Sequence, residues 1–392
     1  MSRSKKNYFS VLIPDGEADL SFKVLTCLAQ MPNVRVHVLS SKKNPRSRFS
    51  RFCQSFHFRD RGTEEEWLQH INRVVRETGA DVVLPVFETG TRFACVWRER
   101  LAQSAALPPL PSTGSFDLAA DKGLFAEFLA KHELPHPRTV RLSVALDRSV
   151  DGFPVLIKPR RSNDGAGIRL CESRRVLEGF AASHADTLDE YIVQEFAEGG
   201  DASCSVLCRK GEILAYTIHR PIVLHARQFA ASLCIKHVEC DQTLATVKKL
   251  MSVLDWGGVA NIDFRYNKRT QQREILEINP RFSGNVVGSL TAGVNLPHLA
   301  CLSAMNAELP QTRYRLQNYM EVRDAIKMAL RKLKGGGGIF PNLARETNLP
   351  FILRDPMPFL NRSIDRHEKS AEKRGVGAVL CAGFLSSLAP LD

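Results

Sequence analysis

Compact apolar runs alternate with helical patterns along the first hundred residues. The apolar runs lie at residues 9–13, 34–39 and 81–87. Positions with a period near 3.6 predict helices up to about residue 30, over 64–78 behind a Thr63 cap, and over 89–105. Strands separated by helices favour a doubly wound parallel sheet, so we expect an α/β region at the N-terminus.

Polar residues follow two of these predicted strands, at the sheet edge where such folds bind ligands. Asp15-Gly16 ends the first strand and Glu88-Thr89-Gly90 ends the third. Glu88 is therefore a candidate substrate contact, although a turn or capping role is the plainer explanation. The basic loop 42–51 is either solvated or contacts an anion. No Gly-x-Gly-x-x-Gly turn follows a strand, so we expect no dinucleotide site.

The pattern changes after a stiff Leu-Pro-Pro-Leu-Pro connector at residues 107–111. A helix over 116–132 is predicted behind a Ser115 cap. Residues 138–282 then show an α+β pattern of antiparallel strands with two helices. The predicted strands lie at 153–158, 168–171, 191–196, 203–208, 212–218, 257–266 and 273–279, and the helices at 174–184 and 241–254.

The last predicted strand carries unusual chemistry. Glu277, Asn279 and Arg281 alternate with apolar residues, so a period of 2 places all three on one face. If the preceding turn centres on Thr270, Asp263 lies directly opposite Glu277. Two carboxylates and an amide oxygen suit Mg²⁺ or Mn²⁺ and do not suit zinc. We therefore expect a hard-cation site on this hairpin.

Several upstream features suit a nucleotide. Lys122 and Lys158 are point charges for phosphate oxygens, and the glycine-bearing loop 162–167 offers backbone N–H groups to a phosphate. The strand end Gln194-Glu195-Phe196-Ala197 suits an adenine edge, and Asp201 can accept from ribose hydroxyls. Each feature has a structural explanation when taken alone, and only their order along one chain supports a nucleotide site.

This order resembles the ATP-grasp superfamily, in particular its branch related to carbamoyl phosphate synthetase. The resemblance covers about residues 8–310, and its most specific part is Asn261-Ile-Asp263-Phe-Arg followed by Glu277-Ile-Asn279-Pro-Arg281. It implies a pre-ATP-grasp domain at 1–110, an ATP-grasp domain at 111–310 with a lid subdomain at about 134–196, and a C-terminal tail at 311–392.

The resemblance also implies roles for the site residues. Asp263, Glu277 and Asn279 would bind Mg²⁺, with Glu277 bridging two ions, and Arg281 would steady the transferring phosphate. The residues implied to hold ATP are Lys122, Lys158, the lid residues Ser162, Gly165 and Gly167, the adenine-side residues Gln194, Glu195, Phe196 and Ala197, and Asp201 at the ribose.

Two departures from the family pattern concern the nucleotide. Asp164 adds negative charge to the lid loop, and Asp201 is one methylene shorter than the usual glutamate. The metal-binding triad is complete, so an active enzyme is expected. For the acid substrate, Arg220 or Arg227 is a candidate to clamp a carboxylate bidentately, with a surface loop as the alternative.

The implied activity is an ATP-dependent carboxylate–amine ligase for small molecules that works through an acyl phosphate and releases ADP and phosphate. One alternative is an enzyme that uses bicarbonate through carboxyphosphate, as carboxylases and carbamoyl phosphate synthetases do. A second alternative is a non-catalytic nucleotide-binding protein.

The composition limits the kinds of binding partner that are expected. The chain has a net charge of +12, with 44% hydrophobic and 24% charged residues. Its basic residues are scattered and form no nucleic-acid module, so an anionic small molecule is expected rather than nucleic acid. Ten dispersed cysteines, without a Cys-x-x-Cys pair, favour buried thiols in a reducing cytoplasm.

The tail begins with a basic amphipathic helix over 320–334. Its predicted apolar stripe is Val322, Ile326, Ala329, Leu330 and Leu333. The plain interpretation is a helix packed on the core, and a membrane or partner contact is the alternative. No apolar stretch approaches the roughly 20 residues that a membrane span needs. A homodimer is left open.

Overall fold

We describe the protein from a computed structural model, for residues 8–147, 152–162, 165–224, 232–267, 270–333 and 341–361. The N-terminal sheet has four parallel strands, named in chain order β1 (Phe9–Ile13), β2 (Val34–Ser40), β3 (Cys53–Phe58) and β4 (Val82–Val83). Their spatial order is β3-β2-β1-β4. The connections therefore run in both directions from β1, as in a doubly wound sheet.

Helices cover both faces of this sheet, as the sequence predicts. They are α1 (Asp19–Leu28), α2 (Glu64–Thr78), α3 (Glu88–Val96) and α4 (Arg98–Ala102). Val11 packs with α1 in one core cluster, and the adjacent Leu12 packs with α2 in another. The Thr63 cap is confirmed as a capping box, in which the Thr63 hydroxyl accepts from the Glu66 N–H at 3.3 Å.

Three predictions for this region need correction. The strand predicted at 81–87 pairs only at Val82–Val83, and the helix predicted at 89–105 is interrupted at Trp97. The edge strand β3 was missed because Gln54, Ser55 and His57 give it little apolar alternation. It pairs with β2 along the backbone, and a hydrogen bond of 2.7 Å between His37 Nδ1 and Ser55 Oγ adds to this pairing.

The helix predicted at 116–132 is two helices, α5 (Thr113–Ala119) and α6 (Lys122–Lys131). Ser115 is not the cap: Ser112 caps α5, and Asp121 caps α6 by accepting from the N–H groups of Gly123 and Leu124. The second cap was missed because Asp121 lies inside a continuous helical pattern. Its consequence is that Lys122 becomes the first residue of α6.

A second sheet follows, with β5 (Thr139–Arg141), β6 (Val155–Pro159), β7 (Arg169–Cys171) and β8 (Tyr191–Glu195) in the order β5-β8-β6-β7. All its pairings are antiparallel. The helices α7 (Leu142–Asp147) and α8 (Arg174–Ala182) share a core with this sheet, in which Val155, Ile157 and Leu177 are buried. We call this sheet and its two helices the lid.

The third sheet has six antiparallel strands in the order β13-β12-β9-β10-β11-β14. These are β9 (Asp201–Arg209), β10 (Glu212–Val223), β11 (Cys234–His237), β12 (Gly258–Asn267), β13 (Gln272–Asn279) and β14 (Asn318–Met320). Helix α9 (Asp241–Val253) covers one face, and α10 (Val286–Ala292) and α11 (Leu296–Ala304) cover the other. Cys204 and Cys208 are buried under α9, as predicted.

Part of the tail completes this sheet. Residues 318–320 form β14, and α12 (Val322–Leu333) packs beside it through Ala325 and Met328. The predicted apolar stripe is therefore wrong, because Ile326 and Leu330 are each 55% exposed. A short helix, α13 (Leu349–Arg354), packs through Phe351 against the core cluster that β1 and α1 share.

No single helix in the described residues is long and apolar enough to cross a membrane. The pair α10 and α11, which meet at 92°, passes the same test of length and composition only when the two are counted together.

Replacement of Phe125 tests the core that holds α6. Phe125 is 1% exposed and packs against the third sheet, so Phe125→Ala should lower the free energy of unfolding by about 3–5 kcal/mol. Leu124→Ala is the matched control, since Leu124 is 36% exposed on the same helix and should change stability by well under half as much. Denaturant titrations of both variants measure the difference.

Candidate nucleotide and metal site

A large cleft of about 1070 Å³ lies where the three sheets meet. The lid contributes Leu156 and Lys158, the third sheet contributes Asp263 and Glu277, and the N-terminal sheet contributes the end of β1 at Asp15. Its volume is at the upper limit for small-molecule sites, so it can hold a nucleotide and a second substrate.

Two lysines from different elements converge on this cleft. Lys122 Nζ lies 3.3 Å from Glu277 Oε2 and donates to the Ser162 carbonyl at 2.7 Å. Lys158 Nζ donates to Gln194 Oε1 at 2.6 Å. Burial lowers the pKa of Lys158 to about 8, although the Glu277 charge opposes this shift. The two predicted phosphate-binding lysines therefore share one anionic neighbour.

The position of Lys122 depends on the carboxylate before it. Arg160 donates to both oxygens of Asp121, from Nε at 2.9 Å and from Nη2 at 2.8 Å. Burial acts to raise the pKa of Asp121, but the bonds from Arg160 and from the N–H groups of α6 outweigh it, and the net pKa is lowered. Asp121 thus joins α6 to the end of β6, and Lys122 is fixed between them.

The β12–β13 hairpin places Asp263 opposite Glu277, as predicted from the sequence. The pairing between the turn and Asp263 differs from the prediction, however. Asn267 pairs with Gln272 and Phe264 with Ile275, so the turn does not centre on Thr270. A β-bulge at Leu276 then adds one residue and restores the predicted pairing from Asp263 onwards. The bulge also places Leu276 beside Glu277 in the cleft lining.

The two carboxylates have different environments. Asp263 accepts from the Ser203 hydroxyl at 2.6 Å and from the Asn261 amide at 2.9 Å. Burial and the Glu277 charge raise the pKa of Asp263 to about 7. Burial also acts to raise the pKa of Glu277, but Lys122 and Lys158 lower it to a net value below the ordinary one. Of the two carboxylates, Glu277 is therefore the one that more readily carries the negative charge.

The donor chemistry of this pair fits a hard divalent cation. The Asn279 amide nitrogen donates to Asp263 Oδ2 at 3.0 Å and to Glu277 Oε1 at 3.3 Å. A cation between these carboxylates needs the amide oxygen instead, so the amide must turn over. In the described parts of the chain, no three His, Cys, Asp or Glu side chains group to hold a metal. Phosphate or water oxygens must supply the remaining ligands.

The strand end 194–197 lies along the cleft, and its polar groups are already ordered. Thr139 accepts from Gln194 Nε2 at 3.0 Å, which directs the amide oxygen of Gln194 towards Lys158. Arg265 donates to the Ala197 carbonyl and to Asp201 Oδ1, both at 2.7 Å. Asp201, predicted to accept from a ribose, is therefore paired with an arginine.

An apolar surface lies beside these polar groups. It consists of cleft-lining residues from the strands β6 and β13 and from the segment after β8: Leu156, Leu276, Phe196 and Ala197. Such a surface suits the faces of a purine ring. Leu276 was not predicted, because its place in the cleft depends on the bulge and a regular strand would direct it away from Glu277.

The lid loop is described only in part. Ser162 accepts from Lys122, and Gly165 and Gly167 have φ values of 72° and 77°. A Cβ at Gly167 would lie 2.7 Å from Pro159 Cγ, so this position requires glycine. Residues 163 and 164, including the predicted charge at Asp164, lie outside the described residues.

Arg281 lies at the boundary between the third sheet and the N-terminal sheet. Its Nε donates to Glu88 Oε1 at 3.1 Å, and its Nη2 donates to Asn279 Oδ1 at 3.4 Å. Arg220 is exposed on the opposite face of β10 from His219, which lines the cleft, so the structure does not bring Arg220 to the site. Arg227 lies outside the described residues.

The end of β1 is tied to the end of β4 by Asp15. Its carboxylate accepts from the N–H groups of Val86 at 3.0 Å and Phe87 at 2.7 Å. Burial raises the pKa of Asp15 to about 7. A Cβ on Gly90 would meet this carboxylate at 2.2 Å, so glycine permits the close approach. This tie places the Phe87–Glu88 turn against Arg281.

The far wall of the cleft contains charged residues that sequence patterns did not reveal. They come from the N-terminal region and from the tail: Lys23, Arg46, Arg61, Glu321 and Lys327. Of these residues, only Arg46 was indicated by the sequence, because it lies in the basic loop 42–51. Nothing in the amphipathic pattern of α12 indicates that Lys327 faces a ligand cleft.

Comparison with known proteins finds similarities that centre on the middle of the chain. Residues 119–285 match the family model for the ATP-grasp domain. The carbamoyl phosphate synthase large chain of Archaeoglobus fulgidus is 26% identical over 213 residues, which cover 50% of this chain and 20% of that protein. This chain thus matches about a fifth of the length of that relative.

Two solved structures show the same fold over most of the chain. N5-carboxyaminoimidazole synthetase of Staphylococcus aureus in complex with ADP has a TM-score of 0.63 at 16% identity, covering 86% of this chain and 88% of that one. The biotin carboxylase domain of the 2-oxoglutarate carboxylase of Hydrogenobacter thermophilus, in complex with MgADP, ADP and bicarbonate, has a TM-score of 0.61 at 14% identity, covering 80% and 74%. The chain therefore shares its fold with these structures, and the predicted fold is confirmed.

Removal of the Asp121 side chain tests whether the α6 cap orders the site. Asp121→Ala should lower the free energy of unfolding by about 2–4 kcal/mol, because it loses both a helix cap and a charged pair. It should also weaken ADP binding in calorimetry, since Lys122 loses its anchor. Asp117→Ala removes another Asp–Arg pair, to Arg92 at 2.7 Å, which is more exposed and should cost at most about 1 kcal/mol. Equal ADP affinity in the two variants would contradict this role.

Proposed function

We propose that the protein is an ATP-dependent carboxylate–amine ligase that acts on small molecules through an acyl phosphate. The observation that supports this most is the convergence of Lys122 and Lys158 on the Glu277–Asp263 pair, in a cleft that continues past Arg281. Cations from two elements beside an oxygen-rich pair suit a polyphosphate and its Mg²⁺. The cleft beyond Arg281 suits the acid that the phosphate is transferred to.

The residues of the chain provide the positions and charges that phosphoryl transfer needs. Lys122 and Lys158 neutralise phosphate oxygens, and the apolar surface with Leu276 packs against the base. Asp263, Glu277 and Asn279 would hold Mg²⁺ (or Mn²⁺), which supplies further neutralisation of the phosphates when bound. Closure of the lid over the cleft keeps water from the product of the first step.

The acid binds beyond the phosphates, beside Arg281. Its carboxylate oxygen attacks the γ-phosphorus, the bond from this phosphorus to the β-phosphate oxygen breaks, and ADP leaves. The amine then attacks the acyl carbon, phosphate leaves, and the amine loses a proton. Glu88 fixes the direction of the Arg281 guanidinium at 3.1 Å, so that its charge faces the phosphate in transfer.

Replacement of Glu277 tests the cation site. Glu277→Gln keeps the shape of the side chain and removes its charge, so kcat for ADP release should fall by about 100- to 1,000-fold while the protein stays folded by circular dichroism. The exposed Glu127→Gln is the control and should keep the wild-type rate. ADP release by Glu277→Gln at the wild-type rate would refute the assignment.

A comparison of substrates separates this function from one based on bicarbonate. In buffer free of carboxylates and bicarbonate, ADP release should need an added acid and should rise further with an amine. Hydroxylamine should trap the acyl phosphate as a hydroxamate. If bicarbonate alone stimulates ADP release as strongly as the best acid, the carboxyphosphate alternative is correct. Nucleotide binding without turnover on any acid–amine pair would favour a non-catalytic protein.

A further inference from the structure

Resting on the proposed function, we infer that Asn285 binds the amine substrate, which donates one of its N–H groups to Asn285 Oδ1. His219 holds the Asn285 side chain in the orientation that this bond needs. Asn285 is thus a binding residue for an uncharged amine, and His219 is a positioning residue that acts through it.

A row of directly paired residues crosses the third sheet from the two carboxylates to His219. Asp263 pairs with Glu277 on one side and with Ser203 on the other. Ser203 in turn pairs with His219, and all four residues line the cleft. Directly paired residues share a face of the sheet, and two strand spacings put His219 about 10 Å from Asp263. This distance leaves room for an acyl phosphate between the cation site and His219.

The side chain of Asn285 turns from the adjacent helix towards His219. Asn285 is the N-cap residue of α10, where an asparagine oxygen normally accepts from a helix N–H. It does not cap α10; instead its Nδ2 donates to His219 Nε2 at 3.2 Å. Among the described residues no group donates to Asn285 Oδ1, and Asn285 is half-buried in the cleft wall. An acceptor is therefore available to a ligand, four residues after Arg281.

His219 can accept this bond only as a neutral imidazole. An amide nitrogen only donates, so Nε2 carries the lone pair and Nδ1 carries the ring proton. In the described part of the chain nothing pairs with Nδ1, so the bond with Asn285 sets the tautomer. Burial, together with the neighbouring His237, lowers the pKa of His219 to about 3. The ring thus stays neutral, and the amide keeps its oxygen free.

An acceptor without charge suits an amine that is about to react. The amine attacks through its lone pair, so it must bind as the free base. A carboxylate in the place of Asn285 would favour the ammonium form, which has no lone pair to attack with. The amide oxygen accepts an N–H without that preference. It has no donor to offer an acid, so the acid is left to Arg281.

The far wall of the cleft also contains carboxylates. They belong to the segment that opens α1 and to the beginning of α12: Glu17, Asp19, Glu321 and Asp324. Glu321 pairs with Lys23 at 2.8 Å, and Asp324 pairs with Lys327 at 2.9 Å. Within the described ranges, none of the four carboxylates hydrogen-bonds to Asn285 or His219. The inference therefore depends on the amide oxygen and not on the net charge of that wall.

An apolar row lies beside His219 on the same face of the sheet. Pro221 follows His219 by two residues in β10 and pairs with Ile235, which pairs with Tyr319. All three residues line the cleft. They offer the carbon skeleton of the amine a surface next to the acceptor.

Hydroxamate formation tests the amine site, with hydroxylamine as the amine. MgATP is saturating, and so is the acid that gives the fastest ADP release. The wild-type rate should saturate with hydroxylamine. Asn285→Ala should raise KM for hydroxylamine by about 10-fold, because one hydrogen bond is lost, while KM for ATP and for the acid changes by less than about 2-fold.

Asn295→Ala is the matched control. Asn295 is the N-cap residue of α11, and its side chain bonds to the Cys27 carbonyl at 2.8 Å and to the His298 N–H at 3.3 Å. It lies outside the cleft lining. Its loss should lower the midpoint of denaturant unfolding, whereas KM for hydroxylamine should stay within about 2-fold of wild type.

Two replacements of His219 test its positioning role. His219→Gln keeps an acceptor for the Asn285 amide, and His219→Leu removes it. His219→Leu should raise KM for hydroxylamine by about 3- to 10-fold, and His219→Gln should stay within about 2-fold of wild type. Circular dichroism checks that both variants are folded.

The outcomes separate the amine site from the reaction itself. Equal KM for hydroxylamine in wild type and Asn285→Ala, or a wild-type rate that stays linear in hydroxylamine, overturns the amine site and leaves the ligase proposal standing. Equal KM in the two His219 variants overturns the positioning role. If wild type shows no acid-dependent ADP release, the proposed function fails, and the amine site fails with it.

Discussion

The balance of two lysines against two carboxylates at the centre of the cleft is the constraint on which the site depends. Lys122 and Lys158 bring positive charge into a partly buried place, and Asp263 and Glu277 bring an equal number of acidic groups. Burial disfavours each charge alone, so the groups must be supplied together and at close range. Three elements meet at this point for that reason: α6, the lid strand β6 and the β12–β13 hairpin.

Much of this arrangement was predictable, because hydrophobic residues recur at regular spacings in the segments that form the core. The parallel sheet, the hairpins and the capping box at Thr63 follow from local patterns. The proximity of Asp263, Glu277 and Asn279 follows from the alternation of Glu277 and Asn279 and from the hairpin register. Lys122, Lys158 and Gln194 lie on regular strands and at a helix end, and these elements carry the clearest sequence signals.

The remaining features depend on long-range contacts or on local irregularities. The bulge at Leu276 adds a residue that no alternation rule detects, and the Asp121 cap lies inside a continuous helical pattern. The edge strand β3 and the short strand β14 have too few alternating residues to identify. The exposure of Ile326 and Leu330 differs from prediction because α12 buries the face that packs on Met320 of the adjacent β14 and on Cys234 of β11, which is far away in the chain.

The hydrogen bonds from Arg46 to the Pro358 carbonyl and from the Ser50 hydroxyl to Asp355, which join the far wall of the cleft to the segment 341–361, have a consequence for biosynthesis. Ser50 and Asp355 are separated by 305 residues, and Arg46 and Pro358 by 312. When the N-terminal sheet leaves the ribosome, these partners have not yet been translated. The sheet can form early from its own local contacts, but the far wall of the cleft takes its final shape only when nearly the whole chain has been made. Long loops closed late in this way slow the last stage of folding. A nascent chain that already contains Lys122 and Lys158 therefore still lacks the finished far wall of the cleft.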